Sequence, residues 1–238
     1  MTARAAIPSG IDHLKMVARL EAATNSQSLK DFSTSDVYCR LIGTALSVLY
    51  QAATCHRKCH GGPHIFESLC GRMYNLAVGA YLLAQRGLYD EALNLTRSIG
   101  EASNLIALSV IDKAALKEWL SSDKKTRLSK FSPSKIRKAL ERQEPALVLA
   151  SEDWYAKFCE AYTHVTPQTK PNMHNSRGQA YVGGVYQAEG LNSTLEELAT
   201  VLAFVAMIVC GYFKFSDLLA EITAVVKSAK DAAVGNGS

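Results

Sequence analysis

The chain has 238 residues, of which 48% are hydrophobic and 20% charged, with only 6 prolines; this usage excludes a disordered or fibrous protein and leaves room for one substantial core. A formal charge of +4 and a pI near 8.7 are too mild for a surface devoted to nucleic acid, so only a local basic patch can serve RNA. The segment MTARAAIPSGIDHLKM lacks the continuous apolar stretch of a signal peptide, which predicts a reducing, cytoplasmic setting with the six cysteines as thiols.

A short helical stretch is predicted from about Gly10. Ser35 or Asp36 can then cap a helix whose Val37, Leu41, Ile42, Ala45, Leu46 and Leu49 recur at three- and four-residue spacing. The pattern stops before a Cys/His/Gly cluster and restarts at Ile65 with Phe66, Leu69, Met73, Leu76, Ala77, Ala80, Leu83 and Ala84, with Gly87 as its left-handed terminator. Asp90 and Glu91 suit the first turn of the next helix, where Ala92, Leu95, Ile99, Ala102 and Ile106 make one apolar stripe. These two helices should form an αα-hairpin.

From Lys113 to Arg142 the chain is polar and basic, and Ser132-Pro133 reads as an N-cap before a short helix through Ile136 and Leu140. A helix over 151–162 precedes a long polar loop, 166–193, broken by Pro167 and Pro171. Within it, Tyr181-Val182-Gly183-Gly184-Val185-Tyr186 has the symmetry of a two-residue β-hairpin near 180–187. Thr194 and Glu197 have capping-box spacing before an apolar helix. The uncharged run Leu198 to Phe213 is sixteen residues, shorter than a membrane span requires, and so predicts a buried core helix with no membrane partner. A last amphipathic helix covers 217–230, before a terminal VGNGS run expected to fray. The expected fold class is therefore all-α: one domain over 1–238, a bundle of seven to nine helices with one small β-ribbon.

Two local resemblances add to this reading. AQRGLYDEA, residues 84–92, resembles the turn of a tetratricopeptide repeat but has no echo at that family's period, so it marks a single helical hairpin and not an array. Over about 100 residues, Leu95, Arg97, Ser98 and Glu101, followed by Tyr162, His164 and Pro167, resemble an uncharacterised bacterial all-helical family with an L-x-R-S-x-x-E helix and a later Tyr/His/Pro element. The resemblance implies a helical fold and no particular reaction. His164 and His174 are both open as the counterpart of that family's histidine.

Arg97 and Glu101 share a helix face with Asn94 and Asn104, roughly opposite the apolar stripe. Leu93 and Leu108 lie on that polar side, which predicts a second layer of protein over a partly buried salt bridge. A composite site of Arg97, Glu101, Tyr162 and His164 or His174 would join an anion binder to titratable partners, if the segments meet. Cys55, Cys59, His60 and His64 could bind zinc, although the spacing is not that of a standard structural site; no metal or other cofactor is the favoured expectation. Arg57 to His64 fits the loose R-x4-6-H pattern that resembles the catalytic element of HEPN ribonucleases, but Gly61, Gly62 and Pro63 make this stretch read as a turn. The basic residues Lys124, Lys125, Arg127, Lys130, Lys135, Arg137, Lys138 and Arg142, with Phe131 as their only aromatic, predict a mobile solvated segment, with contact to RNA or an acidic partner as the alternative.

No nucleotide loop, Rossmann fingerprint, nucleophile elbow or HExxH helix occurs. Two functional classes remain: a bacterial helical interaction or regulatory protein, accessory to a stress, toxin–antitoxin or defence system and partnered by another protein or by itself; and a metal-independent HEPN-like ribonuclease.

Overall fold

A computed structural model describes residues 7–31, 37–57, 59 and 61–235. They form ten α-helices: α1 (Gly10–Asp31), α2 (Val37–Ala53), α3 (Ile65–Gln85), α4 (Tyr89–Ile111), α5 (Lys113–Ser121), α6 (Lys124–Lys130), α7 (Pro133–Gln143), α8 (Glu152–Phe158), α9 (Ala188–Phe213) and α10 (Ser216–Gly235). A 3-10 turn covers Pro145–Leu147 and a π turn covers Cys159–Thr163. The fold is all-α, with ten helices instead of seven to nine. The expected cap residues Ser35 and Asp36, together with His60 and residues 236–238, lie outside the described residues.

α9 is the central element because it is apolar on nearly every side. It packs against α2, α3, α4 and α10, burying Leu191, Leu195, Leu198, Leu202, Val205 and Val209 among them. By length and composition it could cross a membrane, yet 61% of its most apolar window is buried inside the bundle. Alanines at the contacts, including Ala77, Ala80, Ala84, Ala92, Ala199 and Ala206, are fully buried and let the helix axes come close.

α3 and α4 pack as the expected hairpin, and their turn explains the Gly-x-Tyr spacing. Gly87 donates to the Ala84 carbonyl at 3.0 Å and Leu88 to the Leu83 carbonyl at 2.9 Å, the paired bonds of a Schellman cap, with Gly87 at φ +73°. A side chain here would also collide: a Cβ on Gly87 would lie 2.5 Å from the Val185 carbonyl oxygen.

The same contact corrects the expected β-hairpin. No strand is present among the described residues; a Cβ on Gly184 would lie 2.0 Å from the Arg86 carbonyl oxygen, so the Gly-Gly pair lets two backbones abut instead of turning a ribbon. Val182 is exposed, so no apolar face is available to hold a two-stranded ribbon together.

Two other expectations change. α9 starts at Ala188, six residues before the expected cap, with the Gln187 carbonyl accepting from Leu191 N at 2.9 Å. Thr194 is buried inside the helix and Glu197 accepts from Trp154 Nε1 at 2.6 Å, so neither caps; a capping-box spacing is uninformative once the chain upstream is already helical. The loop before α9 therefore ends at Gln187.

The basic stretch folds into α5, α6 and α7. Asp112 accepts from Ala115 N at 2.9 Å and Asp123 from Thr126 N at 2.7 Å, each satisfying a helix start. α7 starts with Pro133 in its first turn after Ser132 and lays Ile136 and Leu140 on Ala107 and Leu108 of α4. α1 was expected to be short; it runs 22 residues and buries only Ser28.

Candidate functional site

Asp90, Asn94, Arg97 and Glu101 fall on one face of α4 by their three- and four-residue spacing. The chain from α8 through the loop before α9 lies across that face, where Asp90, Asn94 and Arg97 each bond to it and Glu101 holds Arg97. This is the second layer expected from Leu93 and Leu108, which are buried.

At the C-terminal end of the stripe, Arg97 Nη1 donates to Glu101 Oε1 at 2.5 Å and to the Tyr155 hydroxyl at 3.2 Å, and lies 3.7 Å from Cys159 Sγ. The guanidinium also sits over the Tyr155 ring, 5.4 Å from its centroid. The two side chains of the ion pair are 15% and 25% exposed. Burial, Cys159 and the Glu101 charge push the Tyr155 phenol up to about 12, against a smaller opposing pull from Arg97. Asn94 accepts from Thr163 at 3.0 Å.

At the N-terminal end, the Asp90 carboxylate meets His174 Nε2 at 2.7 Å and accepts from Asn172 N at 2.6 Å. Tyr162 stacks on the His174 ring at 6.0 Å and 15°, while Tyr89 meets it edge-on at 5.4 Å. Burial and, less strongly, the Asp90 and Glu197 charges raise the Tyr162 phenol above its ordinary value.

Beneath this pair is a buried amide network. Asn172 donates to the Gly87 carbonyl at 2.6 Å and the Gly183 carbonyl at 3.3 Å. Gln187 accepts from His174 N at 3.0 Å and donates to the Asn172 carbonyl at 2.9 Å. Tyr89 and Gln187 exchange hydroxyl and backbone bonds of 3.1 and 3.0 Å. Every polar atom of such a network must be met once it leaves water, so it holds the loop to one geometry.

The composite site thus separates into two neighbouring clusters. Arg97 and Glu101 join Tyr155 and Cys159; Tyr162 joins His174 and Asp90. His174, not His164, enters the polar stripe: His164 is exposed and closes the π turn through its backbone, its N–H donating to the Cys159 carbonyl at 2.9 Å. Asn172, Tyr155, Cys159 and Gln187 were not singled out from sequence, and Asp90 reads there only as a first-turn residue of its helix. Asp90 alone left a signal, being in register with Asn94 and Arg97.

His174 borders two open clefts. One, about 300 Å³, is lined by Asp90, Tyr162, Thr169, Lys170 and Met173; the other, about 240 Å³, by Asn175, Arg177, Tyr181, Tyr186 and Glu189.

The basic residues do not form one uniform face. Lys124, Lys125, Lys135, Lys138 and Arg142 are exposed. Lys130 pairs with Glu118 at 2.5 Å and Arg127 donates to the Ser122 carbonyl. Arg137 is a correction to the nucleic-acid set, because its side chain is 5% exposed and reaches Glu152 at 3.3 Å and Glu141 at 3.6 Å.

Arg57 and His64 face different partners. Arg57 donates to Gln51 and Asp217, both at 2.6 Å, and lies over Phe215. His64 approaches Cys55 and Cys59.

Comparison of the chain with family models, curated proteins and solved structures finds no match.

Proposed function

We propose that the chain is a bacterial helical interaction or regulatory protein that works by self-association or by docking another helical protein, as an accessory of a stress, toxin–antitoxin or defence system. The observation carrying this reading is the apolar surface of α1: Ile11, Leu14, Leu20 and Leu29 are 65%, 63%, 56% and 50% exposed. Scattered single apolar residues on a surface are ordinary, but four large ones left exposed along one 22-residue helix give it more apolar surface than the bundle covers. Covering side chains of this size yields about 1.5–3 kcal/mol each when fully buried.

The polar stripe supports the same reading. Arg97, held by Glu101, is committed to Tyr155 of α8 and Cys159 of the π turn, so the pair organises the second layer of the fold. Sedimentation of the full chain over a hundredfold concentration range tests the proposal beside Ile11→Glu/Leu14→Glu. Association in the wild type, lost in a variant with the same helical circular dichroism, is expected; a wild type that stays monomeric and also fails to bind its genomic-neighbour proteins overturns it.

A second reading, a metal-independent HEPN-like ribonuclease, draws support from the His174–Asp90 pair beside a cleft containing Lys170. An imidazole held by a carboxylate can move a proton at a ribose hydroxyl. Its test is metal-free incubation with total and transfer RNA, in which His174→Ala should abolish cleavage.

A further inference from the structure

The connector between α2 and α3 folds back so that Cys55, Cys59 and His64 each offer a ligand atom within 4.8 Å of the others. Cys55 Sγ lies 3.6 Å from His64 Nδ1, and Cys59 Sγ lies 3.9 Å from His64 Nε2. Glu67, one turn into α3, places Oε1 3.8 Å from His64 Nδ1. We propose that these four side chains form a binding site for one thiophilic divalent cation, zinc above all, which clips the α2–α3 connector.

The cluster is close to the spacing that ion takes. Zinc–sulfur bonds of about 2.3 Å and zinc–nitrogen bonds of about 2.0–2.1 Å at a tetrahedral angle put S and N about 3.6 Å apart; Cys55 Sγ stands at that distance from His64 Nδ1, the nitrogen Glu67 also faces, while Cys59 Sγ approaches Nε2 and must turn toward Nδ1, within the 4.8 Å cluster, to share the ion. Two thiolates and an imidazole select zinc over the hard cations, which take oxygen ligands.

Glu67 provides a second, independent observation. Its residue is only 8% exposed, and His64 is its one ion-pair partner among the described residues. A cation held between His64, Glu67 and the two sulfurs would lie against that buried carboxylate, at a depth where charges are found paired.

The ligands are also held in place. The His64 carbonyl accepts from Ser68 N at 2.9 Å and from Ser68 Oγ at 2.7 Å, fixing it to the start of α3. Cys55 N donates to the Ala52 carbonyl at 3.3 Å, fixing it to the end of α2. Arg57, between the cysteines, is tied to Asp217 at the start of α10. Cys55 and His64, at φ 52° and 47°, take the left-handed backbone that reverses the chain there. The spacing C-x3-C-x4-H-x2-E is not that of a zinc knuckle because all four ligands surround one turn and not two. Binding releases one proton from each thiol to solvent, so affinity rises with pH.

The test uses the full chain, stripped by chelator and kept reduced, titrated with Co²⁺ alone and then with Zn²⁺. The expected result is a thiolate-to-cobalt charge-transfer band with tetrahedral visible bands saturating at one equivalent, and bleaching by one equivalent of Zn²⁺. Cys55→Ser and Cys59→Ser should lose the charge-transfer band at one equivalent, Glu67→Gln should weaken binding, and Cys39→Ser should leave the titration unchanged. Both cysteines lie outside helices, so circular dichroism should not change in these variants. No band at one equivalent, a band that survives Cys55→Ser, or a Cys55–Cys59 disulfide that resists reductant and excludes metal each overturns the proposal; should a variant misfold, a Zn²⁺-dependent rise in the wild type's Tm decides in its place.

Discussion

His174 meets Asp90 at 2.7 Å across 84 residues of chain, and the same carboxylate holds the backbone of Asn172. Asp90 is therefore the residue through which α4 captures the loop before α9. Removing it leaves a partly buried imidazole and a backbone N–H without their acceptor. Asp90→Ala is expected to cost about 1–3 kcal/mol, which in a domain of this size lowers Tm by about 2–4 °C per kcal/mol. Differential scanning calorimetry checks it, and an unchanged Tm would show that the loop is held otherwise.

Glycine substitutions should divide by geometry. Gly184→Ala puts a methyl 2.0 Å from the Arg86 carbonyl oxygen, so backbone must move and a loss above about 2 kcal/mol is expected. Gly211, inside α9, has nothing within 4 Å of its added Cβ, and Gly211→Ala should gain about 0.5–1 kcal/mol from helix propensity. Urea midpoints for the two variants should shift in opposite directions.

The Tyr155 phenol, raised from an ordinary value of 10 to about 12, gives a pH dependence of definite sign. A group whose folded pKa exceeds its unfolded one binds its proton more tightly in the native state. Its contribution is fully present below pH 10 and is lost as pH rises through about 12. Tyr155→Phe should make the alkaline arm of the stability profile shallower between those values, leaving the part due to Tyr186, which is raised to about 12 as well. It should also remove one of the two phenols, with Tyr186, that ionise near pH 12 in the ultraviolet absorbance titration.

Neighbouring basic residues in α7 should behave differently. Arg137→Ala removes a buried side chain bridging Glu141 and Glu152, and a loss of about 1–3 kcal/mol is expected. Lys138→Ala, on the exposed side, should stay within about 0.5 kcal/mol. If the segment touches RNA, Lys138 and its exposed neighbours Lys124, Lys125 and Lys135 should lower the salt dependence of binding in filter assays. Arg137 should weaken it only through the fold.

Much of this architecture was legible in the residues. The stripes through Leu41–Leu49, Met73–Ala84 and Ala92–Ile106 located α2, α3 and α4, because a half-buried helix writes its burial into a local period. Gly87 marked its turn for an equally local reason. The i,i+4 pairing of Arg97 with Glu101 followed from helix geometry alone. What covers that pair did not: Tyr155 and Cys159 are 58 and 62 residues from Arg97, and no spacing rule reaches that far.

The misread elements share that cause. The Gly-Gly pair has hairpin symmetry, but its role is to let Gly184 approach Arg86, a contact invisible to any window along the chain. Thr194 and Glu197 have cap spacing, yet the helix begins earlier at Gln187, which Tyr89 and Asn172 hold. His164 and His174 were equivalent as letters; Asp90 and the Tyr162 ring distinguish them.

The sequence by itself determined the helical class, most helix positions and the polar stripe of α4, since each depends on interactions a few residues apart. Only the tertiary structure decided which histidine joins that stripe, which arginine is buried and which side chains surround Cys55. Those outcomes depend on through-space contacts between distant segments, where burial and charge act over a few ångströms and the order of residues along the chain carries no distance.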